Sequence, residues 1–424
     1  MALNGKLRLG TTALVAALAL GATAAAADPV HVNFWFNNKD AGYDRAMQGL
    51  VERFNQTHTD IQVDYTDIGL NSSKADYMAK LAASVAAGEP PDVAWMDGET
   101  VDEWAFTKGA IIPISDIDPT YNFDAIDFIP GAVRTLKVGG KWMGMPFRTD
   151  ARGLFYNLDM YEAAGLDPNT PPATTTDLDA AAQKLTKIDP QGKMQQLGFV
   201  PWSNNDATGL MYLWMWGGDY FDWDTLRPKL TGNPANLEAV QWIKSYSDRF
   251  GNLKVHSTDF AHGLESMRID STTFLGTLPS QAPKMRFSVG RIPAAPGQPN
   301  ITMSSAVSFA VPAGAKHPKE ALQFMLYLVS TDAQVQWYKS IHSLPIRFSA
   351  LAQIGNLITD PNEKIMVDML QFAHMNPPMV TVIRDAFGDA QNQMKQGKLS
   401  PKAVLEQVQS VVEPQYEAAF GGKR

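Results

Sequence analysis

Apolar and polar positions alternate strictly through Val30-His31-Val32-Asn33-Phe34-Trp35-Phe36, the period of a strand with one buried face. The period then changes. Tyr43, Met47, Leu50, Val51 and Phe54 fall at helical spacing, and Ile61, Val63 and Tyr65 alternate again. Tyr77, Met78, Leu81 and Val85 predict a second helix that Gly88 closes, and Pro90-Pro91 breaks the chain before a buried strand at 92–96. Strand, helix, strand, helix, strand predicts an α/β sheet with right-handed crossovers.

The middle of the chain reads differently. Gly139-Gly140 predicts a hairpin turn between 136–138 and 141–142, followed by the apolar stretches 145–147 and 153–156. Thr176 is placed to cap a helix bearing Leu178, Ala182, Leu185 and Ile188. Residues 205–223 are rich in aromatics, and Leu237, Val240, Trp242, Ile243, Tyr246 and Phe250 mark a long helix after them. A Pro- and Gly-rich loop at 292–299 leads to a strand at 307–311 and one strongly apolar helix from 318 to 338. Ser400-Pro401 is an N-cap and first-turn pair for a terminal helix through Val404, Leu405, Val408 and Val412.

At 424 residues the chain is long enough for two domains, each with its own core. With 45% hydrophobic and 19% charged residues it belongs with folded soluble proteins, not with disordered ones. A formal charge of -8 argues against nucleic acid or anionic lipid as the partner. Cysteine is absent, so the cores must hold by packing, and no thiol nucleophile or Cys-based zinc site exists. Lys6 and Arg8 precede an apolar run from about Leu14 to Ala22, then Ala25 and Ala27 ahead of Asp28. That is the pattern of a secretory signal peptide over 1–27, cleaved near Ala27, with a run too short to span a bilayer. The mature chain is therefore expected in the periplasm.

An ordered series of short motifs resembles the family-1 extracellular solute-binding proteins of ABC importers, the maltose-binding-like group. Gly88-Glu89-Pro90-Pro91-Asp92-Val93, Gly109-Ala110-Ile111-Ile112-Pro113-Ile114 and Gly140-Lys141-Trp142-Met143-Gly144-Met145-Pro146 carry the likeness in the first half. Leu154-Phe155-Tyr156-Asn157, Ala164-Gly165-Leu166, Ser343-Leu344-Pro345 and Gly397-Lys398-Leu399-Ser400-Pro401 continue it nearly to the end. Two departures stand out: Thr175 replaces an aromatic, and Ser304-Ser305-Ala306 stands where Gly-Gly-Trp is frequent. The resemblance implies an α/β, two-lobed periplasmic binding protein fold of type II, with hinge segments and a ligand cleft between the lobes. It implies a first lobe of 28–139 plus 284–335 and a second of 140–283 plus 336–424. It also implies a non-enzymatic role without cofactor: a monomer that captures a sugar or polyol and passes it to membrane permease subunits.

A sugar site needs flat apolar surfaces and polar groups that each serve two hydroxyls. In an α/β lobe these lie beyond the carboxyl ends of the strands. The candidates there are Trp35, Asn37 and Asn38 after the first strand, Asp97 after the third, and Arg148 and Asp150 at the entry to the second lobe. Trp202 and Trp216 come from the aromatic segment. Ser304, Ser305 and Arg347 fall where the resembled family keeps cleft residues. Blander readings stay open: Trp35 as core, Asp97 as a turn, Arg148 merely paired with Asp150, and one of Trp214 and Trp216 buried. Arg347 and Arg384 would suit an anionic substituent. The seven histidines lack metal spacing, and no Gly-x-Ser-x-Gly elbow or phosphate loop occurs. A glycoside hydrolase using Asp97 and Asp150 as paired carboxylates is the alternative activity, and coupling to a chemoreceptor an alternative partner.

Overall fold

The computed structural model describes residues 1–2, 28–38, 40–69, 73–105, 109–203 and 208–421, so the signal-peptide segment lies outside the described residues. The first sheet has six strands. Ile61–Asp67, Val30–Phe36 and Val93–Asp97 run parallel, joined by the helices Ala41–Thr57 and Lys74–Ala86. Ala306–Pro312 returns antiparallel to Val93–Asp97 and also pairs with Ile111–Ile112 and Met145–Thr149. The expected alternation is realised: Val32, Phe34 and Phe36 are buried, and Phe34 meets Phe309 and Phe324 edge-on at 5.4 and 5.3 Å. Each such pair adds about 1 kcal/mol to the burial of the rings.

The second sheet is antiparallel, with the fully buried strand Arg152–Asn157 between Met267–Ser271 and Phe287–Gly290. Residues 197–198 lie alongside Met267–Ser271, with Ser266 donating to the Leu197 carbonyl at 2.8 Å and Met267 to that of Gly198 at 2.9 Å. Thr302–Ser304 pairs with Ala373–Met375. The chain leaves the first sheet for the second through Asp150-Ala151, and returns to the first through Ser305 from the separate ladder of Thr302–Ser304 with Ala373–Met375.

Strand pairing does not change sheets at 139 or at 284. Gly139 and Gly140, both at positive φ, only turn a small hairpin. Its strands stay on the first side, where Lys141 bonds Asp116 and the Trp142 indole bonds Asp124 at 3.0 Å. Met145–Thr149 then joins the first sheet, and Phe287–Gly290 the second. The apolar run at 318–338 is two helices, Pro318–Leu328 and Thr331–Ile341, because Ser330 caps the second through the Ala333 N–H. The second of these packs on Ala41–Thr57. The helix expected to start at Thr176 is capped by Thr174, which forms a reciprocal capping box with Asp177.

Candidate functional site

The two crossing segments are bonded to each other. Asp150, 8% exposed, accepts the Ser305 N–H at 2.9 Å and the Ser305 hydroxyl at 3.1 Å on one oxygen. Its other oxygen pairs with the guanidinium of Arg152, itself buried. The hydroxyls of Thr149 and Ser304 lie 2.7 Å apart, both buried. Thr302 Oγ1 takes the Arg152 N–H at 2.7 Å and donates to the Arg152 carbonyl at 2.9 Å. Asp150, Ser304 and Ser305 are thus brought together, as partners of one another at the junction.

The other candidates are spread out. Asn37 is buried, and Asn38 accepts the Asp40 N–H at 3.0 Å to turn the chain into the first helix. Gly69 presses on this turn: a Cβ there would lie 2.3 Å from the Asn38 nitrogen. Asp97 ends its strand paired with Lys74. Trp35 faces the helix Lys74–Ala86, where the Lys80 ammonium lies 5.1 Å from its ring centre. Trp202 donates to the Leu253 carbonyl at 3.1 Å, with Lys395 4.8 Å over its ring. Trp216 is partly exposed beside Trp242, and its Nε1 is buried without a hydrogen-bond partner. Trp214 is the buried member of that pair, bonded to Asp219 at 3.0 Å. Arg347 is held by Asp127 at 2.6 Å and the Val329 carbonyl at 3.0 Å. Burial opposes the charge on Asp127, but the bonds from Arg347 and Ser349 outweigh it and keep its pKa below the usual carboxylate range.

Arg148 faces a cavity. It is the next-to-last residue of the strand Met145–Thr149, bridges to Pro345, and stacks over Tyr43 at 5.5 Å. The cavity beside it, about 190 Å³, has Asp40, Tyr43 and Arg148 on one side and Thr272, Thr273 and Thr277 on the other, with His342 and Ser343 between. The first group belongs to the first sheet and its helix; the threonines belong to the helix Thr272–Gln281 that follows the second sheet's strand. A neighbouring cavity shares Thr272, Gly276 and His342 and reaches Glu363, which lies 3.8 Å from His342. Burial raises the Glu363 pKa against the pull of Tyr338 and His342. Sequence reading missed Tyr43, Thr272, Thr273 and Ser343. Only the strand-to-helix junction at Ser271, an N-cap, signalled that helix start.

Behind this wall lies a fully buried ion pair. Arg268 donates to Glu265 at 2.8 Å, to the His256 carbonyl at 2.9 Å and to the Ser203 carbonyl at 3.2 Å. Burial pushes the Glu265 carboxyl up to about 7, partly offset by Arg268 and Ser203.

Two α/β lobes connected by crossing strands, with a cavity walled from both, define a two-lobed binding protein of the maltose-binding type. The chain matches the profile of the bacterial extracellular solute-binding proteins over residues 39–335, and it belongs to that family. It is 24% identical over 438 residues to the sn-glycerol-3-phosphate-binding periplasmic protein UgpB of Brucella suis biovar 1 (strain 1330), covering 98% of this chain and 94% of that one. With UgpB of Pectobacterium atrosepticum the identity is 26% over 372 residues, covering 80% and 78%. Among solved structures, CpMnBP1 with mannotriose bound is 28% identical with a TM-score of 0.75, covering 91% of this chain and 100% of that one. The maltose/maltodextrin-binding domain MalE of Bdellovibrio bacteriovorus, bound to maltotriose, shares the fold at 21% identity and a TM-score of 0.70, covering 91% and 99%. Among the described residues no helix is long and apolar enough to cross a membrane.

Proposed function

We propose that this chain is a periplasmic substrate-binding protein that captures a carbohydrate or related polyol between its lobes and delivers it to the permease of an ABC importer. The observation that carries this reading is the cavity at Arg148, with one wall from each lobe, beside the short crossings at Asp150-Ala151 and Ser305. A ligand touching both walls binds the closed arrangement more tightly and shifts the population toward it. Moving such an equilibrium from mostly open to mostly closed takes about 5 kcal/mol of differential affinity. The lobes in this reading are 28–149 with 306–354, and 152–304 with 361–421. The chain acts as a monomer after loss of residues 1–27. The ligands of the relatives, a glycerol phosphate and mannose or glucose oligomers, support a polyhydroxylated cargo.

A binding role rather than hydrolysis is supported by the state of the two carboxylates that a glycosidase would need. Asp150 is committed to Ser305 and Arg152, and Asp97 to Lys74. The test is a thermal-shift screen over mono- and disaccharides, polyols and their phosphate esters, since a ligand that binds only the folded state raises the melting temperature. Stabilisation by a member of these classes supports the reading. Steady turnover of a glycoside, or no stabilisation by any class, overturns it.

A further inference from the structure

Arg148 is a half-buried cation whose guanidinium has no hydrogen bond or ion pair to any described residue; its recorded side-chain contact is the face of Tyr43. Its position is nonetheless fixed. The backbone pairs with Val307 on one side and bridges to Pro345 on the other, so the side chain stands at a set place on the cavity wall. The surroundings are rich in donors, and no carboxylate among the described residues forms an ion pair with Arg148. Thr272, Thr273 and Thr277 face it across the cavity, with Ser343 between. Thr272 and Thr273 open a ten-residue helix whose positive end lies at that wall. The acid in the lining, Asp40, spends one oxygen capping the first helix, on the N–H groups of Gly42 and Tyr43 at 2.7 and 3.2 Å. A neutral sugar would leave the guanidinium without a countercharge in a partly desolvated place, whereas an oxyanion matches its planar fork of donors.

Resting on the reading above, we propose that Arg148 selects a cargo bearing an anionic group, a phosphate monoester or a carboxylate on a polyol or sugar. The experiment is titration calorimetry on the full mature chain with glycerol, sn-glycerol-3-phosphate, mannose, mannose 6-phosphate and glucuronate, at low and high salt. Wild type, Arg148→Gln and Arg148→Lys are compared. An acidic ligand is expected to bind at least about 10-fold more tightly than its neutral parent, and R148Q to remove that preference with a loss of about 30-fold. R148K, which keeps the charge but not the fork, is expected to fall between them. The phosphate and glucuronate arms separate the two sources of anion. Tight binding of a neutral ligand, equal in wild type and R148Q, overturns the role of Arg148 while leaving the capture function intact. Failure of every member to bind overturns both.

Discussion

The junction between the lobes is the place where a single substitution should act most plainly. Asp150→Ala removes three contacts at once: the Ser305 N–H, the Ser305 hydroxyl and the Arg152 guanidinium. Taking one partner from a buried ion pair costs about 3–5 kcal/mol, because the remaining charge has been desolvated for it. Ser305 is partly exposed, so water can replace its two bonds, and Arg152 keeps further contacts. The expected loss is therefore at the low end, about 3 kcal/mol. Urea unfolding of wild type, D150A, Arg152→Met and the double variant measures it. Because R152M removes the charge that D150A strands, the double variant should regain about 2 kcal/mol relative to the sum of the singles. A loss below about 0.5 kcal/mol in D150A, or simple additivity, would refute the idea that this carboxylate binds the crossing strands together. If Asp150 serves the ligand instead, D150A would lower affinity while leaving stability unchanged.

Glu265 gives a pH signature of opposite sign to an ordinary surface carboxylate. Its folded-state pKa is raised to about 7, so its contribution is full below the unfolded value and is lost as pH rises through 7. Wild-type stability should fall by on the order of 2–3 kcal/mol between pH 5 and 8 from this group, and Glu265→Gln should flatten that slope in urea titrations; an unchanged slope would count against it. Gly69→Ala places a methyl 2.3 Å from the Asn38 nitrogen. It should push apart the turns that follow the first two strands, with about 1–3 kcal/mol of strain. Calorimetry should then register weaker ligand binding, and an unaltered affinity would place these turns away from the ligand.

The alternation at 30–36 and the terminal helix cap at Ser400 were legible because each is decided locally, by period and by one side chain. The lobe crossings were not. The hairpin at Gly139-Gly140 was legible from its turn residues, but the lobe bound that the resemblance implied beside it was not, and the crossing proposed at Asp150 carries no glycine or proline. What makes it a crossing is a set of bonds to Ser304 and Ser305, some 155 residues away. Candidate-site residues show the same limit. Trp35 was ambiguous because alternation gives its face but not what covers it, which is Lys80. Arg347 looked free for a ligand until Asp127 was found against it. For Arg148, the blander reading of a pair with Asp150 falls because Arg152 takes that carboxylate, leaving Arg148 to the cavity. Tyr43 and Thr273 meet Arg148 only through the fold, since they lie on different lobes.

The central claim is that ligand closes two lobes about the Asp150 and Ser305 crossings. Small-angle X-ray scattering of the mature chain, with and without a saturating ligand from the panel, tests it most directly. A smaller radius of gyration in the bound state, lost in parallel with affinity on titration, is the predicted result. Unchanged dimensions with a tightly bound ligand would contradict the account.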